Sequence, residues 1–264
     1  MAVNEQLINY YKKIYYANEL PVPYKLKCGM EINIHPIKVK DWELFESSLG
    51  ILTMDKNKIP DPSIISMSYL DFLYKLIYEK TEGIVNMLLI VLNYSLGEQY
   101  EYSMKKLDGR TFLIIDDKQN QQIGKISSKE FDEISQIILT YNLVNYDNRK
   151  MSSDIQQLIS DYYKLQNNGR TQEPTLEEKK VYVIMKSGIS IQQLNEMSYR
   201  IFSQVYSTAL ECDLYLSNKI IQSSQKYETK GEIIHPLLEK KIDILDKIFK
   251  DADSFIKDTK AKLG

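Results

Sequence analysis

Histidine is almost missing from this chain: the only two, His35 and His235, are each followed by proline. A metal centre or a histidine-based catalytic device needs several ligating or titrating side chains within reach. Neither His has a second ligand at helical spacing, and both stand at segment boundaries, where positioning a turn is the simpler role. Cysteine is equally scarce. Cys28 and Cys212 lie far apart in sequence among apolar neighbours, which rules out a disulfide framework and suggests two buried free thiols in a reducing compartment. Ten glycines leave little for phosphate cradles, and the Gly-x-x-x-x-Gly-Lys-Ser/Thr, Gly-x-Gly-x-x-Gly and Gly-x-Ser-x-Gly patterns are all absent. Arginine is limited to Arg110, Arg149, Arg170 and Arg200, and 34 basic against 36 acidic residues give no net pull toward nucleic acid or an anionic membrane. Long apolar runs are lacking too. Met87–Leu92 is the longest, where a membrane span needs about 20 residues. The N-terminus has no basic stretch leading into an apolar run, so no signal peptide is read there. These absences predict a soluble, intracellular, non-enzymatic protein with no cofactor and no metal.

What is present is material for a core. Of the 264 residues, 43% are apolar and 27% charged, enough for one or two folded domains. Tyrosine appears 20 times, suited either to contact surfaces or to half-buried helix positions. The wealth of Lys, Asn, Ile and Tyr, all with A/T-rich codons, points to a low-GC genome, that of a Gram-positive bacterium or its phage.

Patterning along the chain predicts a mainly α protein with small β elements (α+β): a helical bundle with an N-terminal β-hairpin and a small inserted β-meander. Helical spacing covers residues 3–17. Tyr24-Lys-Leu-Lys-Cys-Gly-Met-Glu-Ile-Asn-Ile34 alternates as a half-buried hairpin (24–35). A loop at Cys28, Gly29 and Met30 would pair Leu26 with Ile32 and Tyr24 with Ile34. Asp41 reads as the N-cap of a short helix bearing Trp42 and Phe45, and Asp61-Pro62 as the start of one helix carrying Ile64, Ile65, Tyr69, Phe72, Leu73, Leu76 and Ile77. Residues 84–94 are the least polar segment. The meander spans 99–126 around the hairpin signal Asp108-Gly109, and Asp116-Asp117 falls in a turn. Ser127-x-x-Glu130 and Thr175-x-x-Glu178 are capping boxes. Ser153 or Asp154 caps a helix to Leu165. Residues 166–174, polar with Gly and Pro, form the linker between a domain of residues 1–165 and one of 175–264. From Ser190 to about Gln225 one long helix, or two nearly in line, carries Leu194, Ile201, Val205, Cys212, Leu216 and Ile220. Leu238, Ile242, Leu245, Phe249, Ala252 and Ile256 make a heptad seam, open to an intramolecular or an intermolecular partner.

One segment imitates a DNA reader. Val181–Ser187, the turn Gly188-Ile189-Ser190 and Ile191–Leu194 have a helix-turn-helix outline, with Gln192, Gln193 and Asn195 on the second helix. Glu196 and the neutral total charge weigh against nucleic acid, and a plain helical corner is the alternative.

Four stretches resemble the tail-assembly and baseplate-assembly chaperones of tailed phages that infect Gram-positive bacteria. They are Met30-Glu-Ile-Asn-Ile-His-Pro-Ile37, Asp61-Pro-Ser-Ile-Ile-Ser-Met-Ser-Tyr-Leu-Asp-Phe72, Ile126-Ser-Ser-Lys-Glu-Phe-Asp-Glu-Ile-Ser-Gln-Ile-Ile138 and Ile184-Met-Lys-Ser-Gly-Ile-Ser-Ile-Gln-Gln-Leu-Asn-Glu-Met-Ser-Tyr-Arg200. The resemblance implies an assembly factor in the host cytoplasm. Its partner would be a tail or baseplate protein, such as the long helical tape-measure protein, whose apolar segments it shields. The meander and the heptad tail depart from that family, which keeps open a structural tail component retained in the virion, and with it a homo-oligomer. Helix-in-groove contact would then use Leu238, Ile242, Leu245, Phe249 and Ile256, and the face around Met197, Tyr199, Phe202 and Tyr206. Packing of that second face within the chain itself is the other possibility.

Overall fold

A glycine decides the first supersecondary element. A computed structural model describes residues 5–54, 56, 59, 61–78, 83–143, 158 and 174–223. After helix α1 (Glu5–Ile14) and a 3-10 turn (Tyr16–Asn18), strands β1 (Val22–Lys25) and β2 (Glu31–Ile34) pair Val22 with Ile34 and Tyr24 with Ile32. The register differs by two residues from the expected one. The loop is Lys27-Cys28-Gly29, closed by Leu26 N–H donating to Met30 O at 2.8 Å. This puts Gly29, at φ +93°, in the last loop position, where a three-residue hairpin needs a left-handed residue. A shift of two keeps the face, so Val22, Leu26, Ile32 and Ile34 are all buried as the alternation required. Cys28 rides on the loop and is exposed rather than buried, while Cys212 is half-buried; both are free thiols.

Helices α2 (Trp42–Ser48) and α3 (Gly50–Thr53) follow, with Trp42, Phe45 and Ile51 in the core. The single helix expected from Asp61 is two: α4 (Pro62–Ser66) and α5 (Tyr69–Tyr78). Asp61 caps α4 by accepting Ser63 N–H at 2.9 Å. The chain then turns extended at Met67, and Ser68 starts α5, its hydroxyl accepting Asp71 N–H at 3.1 Å and donating to Asp71 Oδ2 at 2.5 Å. Ser68-Tyr-Leu-Asp71 is thus a second capping signal inside the apolar stripe. Leu70, Phe72 and Leu73 are buried, whereas Ile65 is exposed. Helix α6 (Ile84–Leu96) contributes Leu88, Val91, Leu92 and Leu96 to the core.

The meander is β3 (Glu101–Leu107), β4 (Arg110–Asp116) and β5 (Gln122–Ser127), antiparallel in the order β3-β4-β5. Asp108 and Gly109 both have positive φ, the conformation of a two-residue type I′ turn. Asp116 ends β4. Asp117 shapes the next turn, its Oδ1 accepting the N–H groups of Gln119 at 2.8 Å and Gln121 at 2.9 Å. Helix α7 (Ser128–Asn142) packs against α1, α5, β2, β4 and β5. Its capping box is formed as read: Glu130 accepts from Ser127 N–H and also takes Lys27 N–H of the hairpin loop at 2.7 Å. Burial favours the neutral Glu130 carboxyl, but the bonds from Ser127 and Lys27 outweigh it and hold the group below the usual range.

Helices α8 (Leu176–Ser187), α9 (Ile191–Glu196) and α10 (Tyr199–Ser223) complete the described chain. Thr175 and Glu178 cap α8 reciprocally, and Ser190 and Gln193 do the same for α9. The stretch expected as one helix or two is two, parted at Met197–Ser198. The fold is therefore mainly helical with two small antiparallel sheets. The chain divides into two compact units, Met1–Asp147 with Val183–Gln204, and Asn148–Tyr182 with Val205–Gly264. The helix expected from Ser153 or Asp154 to Leu165, residues 166–173 of the linker and the heptad seam lie outside the described residues, apart from Leu158.

Candidate functional site: a pocket and a helix face

Within the first unit, the break between α9 and α10 is the place where the chain docks. Lys38 and Ser198 form an isolated antiparallel bridge, with Val39 N–H donating to Met197 O at 2.9 Å and Tyr199 N–H to Ile37 O at 2.7 Å. Ser198 N–H donates to Glu19 Oε1 at 2.6 Å. Lys38 and Lys40, at 2.6 Å for the latter, both bond Glu196, and these contacts draw its carboxyl down to about 2. Tyr199 stacks on Trp42 with ring centroids 3.4 Å apart. Arg200, 7% exposed, reaches the end of α7, donating to Thr140 O at 3.0 Å and lying 5.3 Å from the Tyr16 ring. A guanidinium against the last carbonyls of a helix meets both their unpaired lone pairs and the negative end of the macrodipole. Asn142 completes the junction, its Oδ1 accepting Ile37 N–H at 2.9 Å.

Beside this junction lies a pocket of about 280 Å³, lined by Glu19, Pro21, His35, Pro36, Ile37, Lys38, Asp41 and Tyr94. Asp41 precedes α2 at the expected N-cap position but makes no side-chain cap bond. A 3-10 turn (Val39–Asp41) runs straight into the helix and holds Asp41 in the right-handed region, not the extended one from which a cap reaches back. Asp41 lines the pocket instead. Burial raises the Asp41 carboxyl, against the pull of Lys40 and Lys38, and lowers the His35 imidazole. Burial also raises the Tyr94 hydroxyl, helped by Asp41 and Glu98. Neither His35, Asp41 nor Tyr94 makes a side-chain hydrogen bond with another described residue. Glu19 sits at φ +55°, a left-handed conformation that a side chain of its size rarely adopts. Sequence reading placed His35 at a turn and missed this convergence.

The expected contact residues separate. Tyr199 and Phe202 pack inside the first unit, Phe202 being 1% exposed, and Met197 is half-buried with its backbone engaged. In the second unit Tyr206 meets Tyr182 edge-on, with ring centroids 5.6 Å apart, and Tyr182 donates to Asp213 Oδ2 at 2.8 Å. Leu238, Ile242, Leu245, Phe249 and Ile256 lie outside the described residues. Sequence reading put Leu216 and Ile220 on the apolar stripe of this helix but did not name Leu210, Leu214 or Ile221. Leu214 is 57% and Ile220 68% exposed, and Leu210, Leu216 and Ile221 are exposed too. The imitated DNA-reading helix is α9. Gln193 spends its side chain on the Ser190 cap, while Gln192 is exposed and Asn195 half-buried.

Among the described residues no three His, Cys, Asp or Glu converge as a metal site, and no helix is long and apolar enough to cross a membrane. Compared with protein-family models, curated proteins and solved structures, the chain finds no match.

Proposed function

We propose that this protein is a phage tail or baseplate assembly factor, a helical bundle with a β-hairpin and a β-meander that acts by protein–protein contact and performs no catalysis. The observation that carries the interaction reading is the outer face of α10. From Leu210 to Ile221 it holds exposed aliphatic side chains along about 17 Å of helix, at the rise of roughly 1.5 Å per residue. Leu210, Leu214 and Ile221 fall on one line, and Leu216 and Ile220 on a second line about a third of a turn or more away round the helix. Exposed aliphatic side chains recurring at helical spacing suit contact with another amphipathic helix. The occupant is accordingly an apolar helical segment of a long tail protein, of the tape-measure kind. The phage context comes from the sequence resemblance, and the heptad residues Leu238 to Ile256 enter this reading through their spacing alone.

Mass spectrometry of infected-cell lysate and of purified particles tests it. Co-purification with a tail protein from lysate and absence from particles support an assembly factor in the host cytoplasm. Stoichiometric presence in particles makes the protein a virion component instead. Leu214→Asp with Ile220→Asp checks the strip itself. Both side chains face solvent, so the variant keeps its circular dichroism and melting temperature but loses the tail protein in co-purification. Undiminished capture would remove α10 from the interface.

A further inference from the structure

We propose that strand β3 pairs with β3 of a second copy of this chain, antiparallel and centred on Ser103, so that two meanders join as one sheet. The meander alone carries this, independently of the assembly reading. In the two-residue hairpin at Asp108-Gly109, Leu107 and Arg110 are the hydrogen-bonded pair that closes the loop. Counting back along β3, Lys105, Ser103 and Glu101 bond β4, while Tyr102, Met104 and Lys106 turn their N–H and C=O groups away from it. No hydrogen bond from a described residue meets those outward groups. Such a row is a template for another strand. The other outer strands are interrupted: β1 contains Pro23, and β5 shifts register beside Gly124. Over its seven residues β3 has no proline, no glycine and no shift.

Charge selects the occupant. The odd-numbered side chains of β3 share one face of the sheet with the even-numbered ones of β4 and with Lys125 of β5. That face is acidic at one end, where Glu101 stands opposite Asp116. It is basic at the other, where Lys105 stands opposite Phe112, Arg110 follows, and Lys125 lies 5.3 Å from the Phe112 ring. Glu101 and Lys105 are both exposed, and neither has an ion-pair partner among the described residues. Along one strand they lie about 13 Å apart, too far to pair with each other. A second copy, antiparallel about Ser103, sets Glu101 against Lys105 of its neighbour on both sides of the axis, in the close non-hydrogen-bonded positions. Tyr102 of each copy then exchanges backbone hydrogen bonds with Met104 of the other, and a ring meets a thioether. At the axis the two Ser103 hydroxyls face each other. Ser103 Oγ is buried and has no hydrogen-bond partner among the described residues. Centring on Met104 instead would put Lys105 beside Ser103 and Glu101 beside Leu107, so the Ser103 register is the one that opposes unlike charges. A strand of one charge sign from another protein would match only half of this face.

A seven-residue edge is a short interface, so the dimer is expected to form with concentration rather than to be obligate. The experiment is sedimentation equilibrium of the full chain from micromolar to millimolar concentration, with amide hydrogen exchange by NMR at both ends of that range. Wild type is expected to dimerise. The amides of Tyr102 and Met104 should exchange more slowly in the dimer, while those of Ser103 and Lys105, already bonded to β4, change little. Glu101→Lys and Lys105→Glu should each weaken the dimer by roughly tenfold or more, since either turns every unlike pair into a like one. Mixed in equal amounts, these variants should form a heterodimer, and Glu101→Lys with Lys105→Glu in one chain should dimerise as wild type does. Both side chains are exposed, and circular dichroism checks that each variant folds. The proposal is overturned by a monomer throughout the range, by a dimer that the charge variants leave intact, or by single variants that fail to recombine on mixing. A dimer abolished by Leu214→Asp with Ile220→Asp but not by the charge variants would place the contact on α10 and overturn it too. If a charge variant misfolds, wild type decides: protection that does not alternate along β3 is against the proposal.

Discussion

Helix α10 belongs to two regions, and its two parts behave oppositely. In its first turns, within the first unit, Arg200 and Phe202 are buried, Tyr199 lies flat on Trp42, and a buried guanidinium closes the end of α7. From Val205 onward, in the second unit, Leu214 and Ile220 point to solvent. Hydrophobic periodicity is much the same in both parts. What differs is whether neighbouring groups cover it. An apolar residue in a helix is therefore a statement about what the helix can bury, and only its surroundings tell whether the burial is already complete.

The largest effect should come from breaking the covered part. Arg200→Ala removes the buried guanidinium that donates to Thr140 O and Tyr141 O at the end of α7 and is expected to cost about 3 kcal/mol, and Phe202→Ala about 3–5 kcal/mol. Leu214→Ala, on the uncovered part, should stay within about 0.5 kcal/mol. Urea denaturation of the three variants measures the contrast, and equal losses would mean that the outer face of α10 is covered after all.

A smaller effect is expected at Glu130, which ties the start of α7 to the hairpin loop. Glu130→Gln should cost about 1–2 kcal/mol near neutral pH, since hydrogen bonds to the charged carboxylate are lost. Because the folded-state value of Glu130 is depressed, its contribution is present above the ordinary glutamate range and lost as pH falls through the folded value. The gap between wild type and variant should therefore close on acidification, and a gap that stayed constant to low pH would show that packing, not charge, supplies it.

The smallest effect belongs to Glu196. It is depressed further than Glu130, but it stands in solvent between two lysines, where screening leaves exposed pairs little net worth. Glu196→Gln should shift the melting temperature only slightly, and less still in high salt. A large, salt-independent loss would mark the Lys38–Ser198 bridge as dependent on that charge.

Much of the local structure was legible because its causes are local. Ser127-x-x-Glu130, Thr175-x-x-Glu178 and Ser190-x-x-Gln193 cap the helices they announce, and Asp108-Gly109 makes the tight turn. The hairpin's buried face followed from its alternation, although its register did not: the loop had to place Gly29 where φ is positive. The break at Ser68 had a signal, the Ser and Asp three apart, hidden under a stripe that ran on at helical spacing. The pocket had almost none. Its walls come from residues near 19, 35, 41 and 94, and nothing in a sequence tells that these will line one space.

The sequence by itself determined where helices and strands begin, which faces are apolar, and that no dense cluster of His, Cys or Gly is available for familiar chemistry. These follow from capping, turn and periodicity rules acting within a few residues. Only tertiary structure decided that residues 183–204 join the first unit, that Arg200 closes α7, that Phe202 is buried and Ile220 is not, and that Glu19, His35, Asp41 and Tyr94 line one pocket. Each depends on groups more than fifty residues apart meeting, and on whether a partner donor, charge or ring stands opposite when they do.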